Sequence, residues 1–204
     1  MPRTTPESVF TTAQQAMERG DWKAFFECLD RSDLMRLATM GLPLGGDPGD
    51  AYYALCIEHR IPPEALDRVK ALGKDIQTSA LATLPTWVGP ESASVNREER
   101  LKQSLRHRDL VKDLDKAVAT CLKSVKNLPA FTAAAEKLKR ATMGGGSVSS
   151  TLFVGDNLVD VTAAGSKASG TRVLKGGHKE PIAFVRKKGV WYIKFMPRSR
   201  SRPK

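Results

Sequence analysis

Apolar residues recur at helical spacing through the first two thirds of the chain. In the first such segment they are Val9, Phe10, Ala13, Ala16 and Met17. This spacing predicts an amphipathic helix. Thr5 can cap it, and Pro6 suits its first position, where the missing N–H needs no partner. Gly20 then provides a helix stop and Asp21 a new cap, and with Ser32 as a further cap three short helices are expected.

Glycine and proline interrupt the helical pattern twice in the middle of the chain. Residues 41–50 and 83–95 are rich in both and predict loops. Leucine and valine return at helical spacing around these loops. The helices predicted there begin at Asp50, Pro62, Asn96 and Pro129. The segment from residue 96 is compatible with one long helix or with two abutting ones.

The apolar pattern changes to a period of two after the glycines at positions 144–146. Strands are predicted at Val148–Val154, Leu158–Ala164, Thr171–Leu174, Pro181–Arg186 and Val190–Met196. Turns are predicted at residues 155–157, 176–177 and 187–189. Short consecutive strands joined by tight turns pair in an antiparallel way. The sequence therefore predicts an α+β fold, with N-terminal helices and a helical insertion packed on a C-terminal antiparallel sheet of four to five strands.

The last strand has one apolar face and one mixed face. Trp191, Ile193 and Phe195 share the first, and Tyr192 and Lys194 share the second. A sheet with one apolar face needs cover, which the amphipathic helices can supply. We expect the face carrying the tryptophan to lie against the aromatic residues of the N-terminal helices.

Both ends of the chain resemble one known superfamily. Residues 18–26 read Glu-Arg-Gly-Asp-Trp-Lys-Ala-Phe-Phe, which is similar to the helix, "GD-aromatic" turn and second helix that open nuclear transport factor 2-like domains. Residues 153–157 and 184–193 resemble the closing hairpin of those domains, in which a "GD" turn precedes a strand and "G-x-W-x-I" ends the sheet. The resemblance covers about residues 6–41 and 148–197.

This resemblance implies a cone-like α+β domain in which a curved sheet wraps a helix around a pocket. It assigns residues 1–41 and 148–197 to that domain, residues 42–147 to a helical insertion and residues 198–204 to a basic flexible tail. Some members of the superfamily are isomerases, dehydratases or epoxide hydrolases, and many have no catalytic activity. Enzymatic members place an acid inside the cone, often with a tyrosine or histidine.

The formal net charge of +11 is unevenly distributed. Residues 1–50 carry a net −3, residues 51–150 a net +5 and residues 151–204 a net +9. Such a field favours anionic partners and says nothing about the fold. Nucleic acid or another polyanion is therefore one candidate partner. The candidate contact residues are Lys187, Lys188, Arg198, Arg200, Arg202 and Lys204.

The cysteines and the hydropathy pattern indicate the cellular compartment of the protein. Cys28, Cys56 and Cys121 are scattered and odd in number, which is typical of reduced thiols in a cytoplasmic protein. Each lies among apolar helical neighbours and is expected to fill the core. The chain lacks the ~18 unbroken apolar residues of a membrane span and begins without the apolar core of a secretory signal. We therefore expect a cytoplasmic protein without a membrane partner.

Candidate catalytic residues are scarce in the predicted sheet. Asp160 is the acid that falls within a predicted strand, whereas Asp156 and His178 fall in turns and Glu180 lies at a strand edge. A lone carboxylate without a partner to set its pKa is a poor general base. The sequence therefore predicts no catalytic residues and favours a non-enzymatic protein.

Metal and cofactor motifs are incomplete. Cys56 and His59 lie one helical turn apart, but two ligands do not close a zinc site and no second pair has metal-ligand spacing. The glycines at 144–146 follow a helix and precede a predicted strand, the reverse of the order in phosphate-binding loops. No metal and no cofactor are predicted.

The pattern favours a non-catalytic binding or scaffold protein that acts through protein–protein contacts of the helical insertion. Long helices with a regular leucine and valine stripe either pack on each other or present a groove to a partner, which can be another protein or a second copy. The alternative is a nucleic-acid-associated accessory protein that uses the basic β-region and tail. A third is a small-molecule pocket with isomerase-like or hydrolase-like activity.

Overall fold

The computed structural model describes residues 3–39, 42, 49–83 and 97–194. These residues form seven helices and a four-stranded sheet. The helices are α1 Pro6–Glu18, α2 Trp22–Glu27, α3 Arg31–Thr39, α4 Gly49–Glu58, α5 Pro63–Thr83, α6 Arg97–Ser124 and α7 Leu128–Met143. The strands are β1 Asn157–Ala164, β2 Lys167–Val173, β3 Lys179–Lys187 and β4 Val190–Lys194. The α+β prediction is confirmed.

The chain divides into two compact units, with the second inserted into the first. One comprises the described residues up to Ala38 and from Asn127 onward, and the other is Thr39–Lys126. Helix α7, which the sequence analysis placed within the insertion 42–147, belongs to the unit with the sheet because it packs on α2. The prediction of a helix from residue 96 is met by one long helix rather than two.

Local capping signals begin and end the N-terminal helices. Thr5 and Ser8 form a reciprocal capping box at the start of α1. Gly20 adopts a left-handed φ of 66° after α1, and the Asp21 side chain accepts the backbone N–H of Ala24 at 3.0 Å. The prediction that Ser32 caps the third helix is wrong, because that helix already begins at residue 31.

The sheet is an antiparallel meander in the order β1-β2-β3-β4. The predicted strand over 148–154 is wrong: residues 150–155 form turns. Phe153 has a φ of 67°, and its buried ring lies 5.2 Å from that of Phe10 and 6.0 Å from that of Phe25. The apolar alternation of this segment therefore buries side chains against helices without any strand pairing.

The inner face of the sheet holds the core of this unit. Phe184 pairs with Ile193 across β3 and β4, and both side chains are buried together with Trp191. Helix α1 packs on β4. The predicted burial of Trp191 and Ile193 is confirmed, whereas Phe195 lies outside the described residues.

Backbone groups from the N-terminal region cover the outer edge of β4. Trp191 N donates to Arg3 O at 2.9 Å, Ile193 N donates to Cys28 O at 2.8 Å, and Asp30 N donates to Ile193 O at 2.8 Å. An uncovered edge strand would leave such groups free to pair with other chains. The N-terminal segment and the end of α2 therefore close this side of the sheet.

Side chains of helix α7 bind the segment around Ser147 that leads into the sheet. The buried Glu136 carboxylate accepts the backbone N–H of Ser147 at 2.9 Å and pairs with Arg140 at 2.8 Å. The Arg140 guanidinium lies 4.4 Å from the centroid of the Trp22 ring on α2. A Cβ at Gly146 would overlap both the carboxylate and the guanidinium, so a larger residue there would force these two side chains to shift.

The second unit is built on an antiparallel pair of helices, α5 and α6. The Cys121 thiol near the end of α6 donates to the Ala65 carbonyl near the start of α5 at 3.5 Å. Leu66, Val69 and Leu122 are buried at this end of the pair. Among the described residues, no helix combines the length and apolar character needed to cross a membrane.

Replacement of Trp191 by alanine should lower the free energy of unfolding by about 3–5 kcal/mol, because it empties a large buried site that the surrounding core cannot fill. Urea denaturation followed by circular dichroism measures the difference. Lys179→Ala, at an exposed position of β3, is the control and should change stability by less than ~0.5 kcal/mol. An equal effect of both substitutions would contradict the observed packing.

Candidate functional site

Lys187, a residue predicted to contact nucleic acid, forms an ion pair with Asp30, whose side chain is 3% exposed. Lys194 pairs with the second carboxylate oxygen at 3.2 Å, and the Ser32 hydroxyl donates to the same oxygen at 2.6 Å. Burying an ionised carboxylate is costly unless it is paired and hydrogen-bonded. This cluster therefore anchors the α2–α3 junction to β3 and β4.

The surroundings of Asp30 keep its carboxylate ionised. Burial alone raises the pKa, but hydrogen bonds from Lys187, Ser32 and Lys194 outweigh it, so the pKa of Asp30 falls well below its usual range. The other candidate on this hairpin, Lys188, is exposed and has a φ of 49° in the β3–β4 turn. The tail candidates at 198–204 lie outside the described residues.

The outer face of the sheet is basic. Directly paired residues share a face, so Val185 lies on the outer face with Lys167 of β2 and Tyr192 of β4. Alternation along the strands places further lysines on the same face. The basic residues of this outer face are Lys167, Lys179, Lys187 and Lys194. The described strand residues that the pairing assigns to this face include no acid.

Arg172 lies between two adjoining cavities on the inner side of the sheet. The cavities have volumes of about 460 and 260 Å³ and share Leu152, Phe153 and Arg172 in their walls. The guanidinium is 3.4 Å from Asp156 Oδ2 and 2.6 Å from Glu180 Oε2. It also lies 5.0 Å from the centroid of the Phe153 ring.

The charges in these cavities compensate one another. Asp156 and Glu180 both pair with Arg172, and pairing with carboxylates offsets the cost of burying the guanidinium. The structure assigns this cluster to holding the turn segment against β2 and β3.

Asp160 does not line either cavity. It is exposed on β1 with a φ of 55°, at an irregularity in the pairing between Val159 and Thr162. His178 is exposed in the turn between β2 and β3. Of the four residues that the sequence analysis weighed for catalysis, Asp160 and His178 are thus exposed and outside the two cavities, whereas Asp156 and Glu180 line them.

The thiols are buried rather than reactive. Cys28, Cys56 and Cys121 are buried thiols outside any disulfide, which confirms the prediction that they fill the core. Burial raises the pKa of Cys28 to about 11 and that of Cys56 to about 12. Within the described part of the chain, no group of three or more His, Cys, Asp or Glu side chains could hold a metal ion.

Helix α6 exposes the large apolar side chains of Leu101 and Leu105, which we call the α6 stripe, and that of Val111, which lies on another side of the helix. Their exposed fractions are 60%, 41% and 37%. Leu101 and Leu105 lie one turn apart on the same side of the helix. The leucine spacing predicts an apolar stripe on this helix, but it does not show which end of the helix is buried and which is exposed.

Arg172 is the cavity-lining residue that sequence reasoning missed. A signal was present: Ala168, Gly170 and Arg172 alternate along β2, so the arginine points to the same face as the two small residues. A cation on the inner face of a sheet requires acidic partners. Its partners Asp156 and Glu180 were noted only as isolated acids.

Asp30→Asn should destabilise the protein at neutral pH, because it removes the charge that compensates two lysines. The wild-type pKa is depressed in the folded state, so this stabilisation is complete above the unfolded-state pKa of 3.8. It declines as the pH falls below that value toward the folded-state pKa. At pH ~3 the stability difference between wild type and variant should be about 1 kcal/mol smaller than at pH ~7.

Urea denaturation at both pH values measures this difference. Asp21→Asn, at an exposed cap that an asparagine also supplies, is the control. A stability gap that stays constant or grows on acidification would contradict the proposed ionisation of Asp30.

No family model matches this chain, and neither a curated protein nor a solved structure is found to be similar to it.

Proposed function

We propose that this protein is a non-catalytic binding module that docks another protein on the α6 stripe. The observation that supports this is the exposure of Leu101 and Leu105, at 60% and 41%, side by side on one helix. Scattered exposed apolar residues are ordinary on protein surfaces, but adjacent ones form a patch that favours an interface. Each leucine would contribute roughly 0.6–1.8 kcal/mol when a partner covers its exposed fraction, since full burial of a fully exposed leucine is worth about 1.5–3 kcal/mol.

Among the described residues, the packing of the second unit explains why Leu101 and Leu105 are exposed. Near the end of α6, Val118, Cys121 and Leu122 are buried. Toward its start, Leu110 and Leu114 are only half-buried. A helix pair buries one stripe on each helix, and a stripe that wraps further round needs a third element. A partner helix is the element that would fit there.

The charges around the α6 stripe favour an acidic partner. Residues 97–108 contain five Lys or Arg and two Asp or Glu, a net charge of +3. Lys102, Arg106 and Arg108 are exposed beside the leucines, and Lys102 forms an exposed ion pair with Glu98 at 2.9 Å. We propose an amphipathic helix with acidic residues flanking its apolar face as the partner, because complementary charges steer association and fix register.

We further propose that the unit containing the sheet is a nuclear transport factor 2-like domain. The support is the resemblance of residues 18–26 to the opening of those domains and of residues 184–193 to their closing strands. Many such domains have no catalytic activity, which agrees with the function proposed for this chain. Fold alone does not assign a function.

The double substitution Leu101→Gln and Leu105→Gln should abolish recovery of the partner. Losing two leucine contacts weakens an interface by about tenfold or more, since ~1.4 kcal/mol corresponds to tenfold in affinity. Affinity purification from the native host with quantitative mass spectrometry compares the double variant with wild type. Ile57→Gln is the matched control, because Ile57 on α4 is 40% exposed in the same unit.

Circular dichroism should show that all three proteins retain their helices, because the substituted side chains are exposed. Recovery by wild type and Ile57→Gln should decline as salt is raised, since an acidic partner is held partly by charge. Equal recovery by the double variant would contradict the proposal. A concentration-dependent dimer that the double substitution dissociates would show instead that a second copy covers the stripe.

A further inference from the structure

The outer face of the sheet carries charge that the fold does not use. Lys187 and Lys194 share the buried carboxylate of Asp30. Lys167 and Lys179 are exposed, and neither is in an ion pair within the described residues. Ion pairing with Asp30 therefore accounts for two of the four outer-face lysines and leaves the other two for a ligand.

An aromatic ring lies in the same row as one of these lysines. Lys167 pairs with Val185, and Val185 pairs with Tyr192. Neighbouring strands are about 4.8 Å apart, so the Cα atoms of Lys167 and Tyr192 lie roughly 10 Å from each other. The Arg3 guanidinium lies over the Tyr192 ring, 5.1 Å from its centroid. The half-buried ring thus has the Arg3 cation over one face, and Lys167 lies two strands away in the same row.

Arg3 is held in place by contacts separate from the ring. Its carbonyl accepts the Trp191 N–H at 2.9 Å, and its side chain donates to the Glu27 carbonyl. The guanidinium and the phenol ring therefore form a small platform at the edge of the sheet. Nucleobases stack on both tyrosine rings and guanidinium planes.

We propose that this outer face binds single-stranded nucleic acid, with phosphates on Lys167 and Lys179 and a base stacked on the Tyr192–Arg3 platform. A duplex keeps its bases stacked within the helix and would leave the platform unused. A membrane surface would require large exposed apolar side chains for insertion. The outer-face positions of β3 instead hold Pro181, Ala183 and Val185 between its lysines. This site goes beyond the protein-binding function proposed above and does not depend on it.

The test measures fluorescence anisotropy of a labelled oligothymidylate of about 20 nucleotides, long enough to cover one sheet face. Lys167→Glu with Lys179→Glu should weaken binding by at least tenfold and reduce the dependence on salt between about 50 and 200 mM, because two phosphate contacts are lost. Lys70→Glu with Lys74→Glu on α5, both exposed, makes the same change in net charge and should weaken binding by much less.

A second variant tests the platform without changing the charge. Tyr192→Leu should weaken binding of the single strand by roughly 5- to 150-fold, the range expected for one stacked base. It should leave the weaker binding of a duplex of the same length unchanged. Circular dichroism and the urea midpoint establish that each variant is folded.

Three results would overturn the proposal. Equal losses in the two double-lysine variants would mean that net charge alone attracts the strand. An unchanged affinity of folded Tyr192→Leu would exclude the platform. Tighter binding to a duplex, to an acidic peptide or to anionic lipid vesicles than to the oligothymidylate would assign the face to that ligand instead.

Discussion

The closure of the outer edge of β4 by the N-terminal region is the constraint on which the first unit depends. Backbone pairing at Arg3, Cys28 and Asp30 joins segments from opposite ends of the chain, and the Asp30–Lys187 ion pair spans 157 residues of sequence. Contacts of this range make folding slow, because the chain must be ordered before they form. The intervening unit adds little to that cost, since loop-closure entropy grows only with the logarithm of loop length.

Features set by neighbouring residues could be predicted from the sequence. The capping of α1 by Thr5, the left-handed Gly20 and the cap at Asp21 each depend on contacts within a few residues. The segment 148–154 could not be assigned in this way. Its apolar alternation fits a strand. In the structure the segment is a turn, and Phe153 is nevertheless buried against Phe10 and Phe25. Periodicity indicates which residues are buried and leaves the backbone conformation open.

The candidate surfaces were predicted less completely, because each depends on which elements become neighbours. The leucine stripe of α6 was evident from spacing, but the sequence could not show that packing ends before Leu105 and Leu101. The basic character of the β-region was evident from composition. The pairing of Lys167 with Val185, and of Val185 with Tyr192, depends on strand register, which composition does not determine.

Stability and ligand binding draw on the same set of lysines, and the buried carboxylate of Asp30 separates the two roles. A phosphate that drew Lys187 and Lys194 away would leave Asp30 buried without compensation, which costs several kcal/mol for an unpaired charge. Phosphates are therefore expected to bind Lys167 and Lys179, because binding there breaks no ion pair among the described residues. Lys187 and Lys194 thus stabilise the fold through Asp30. Lys167 and Lys179 are the lysines of this face to which we assign the proposed ligand.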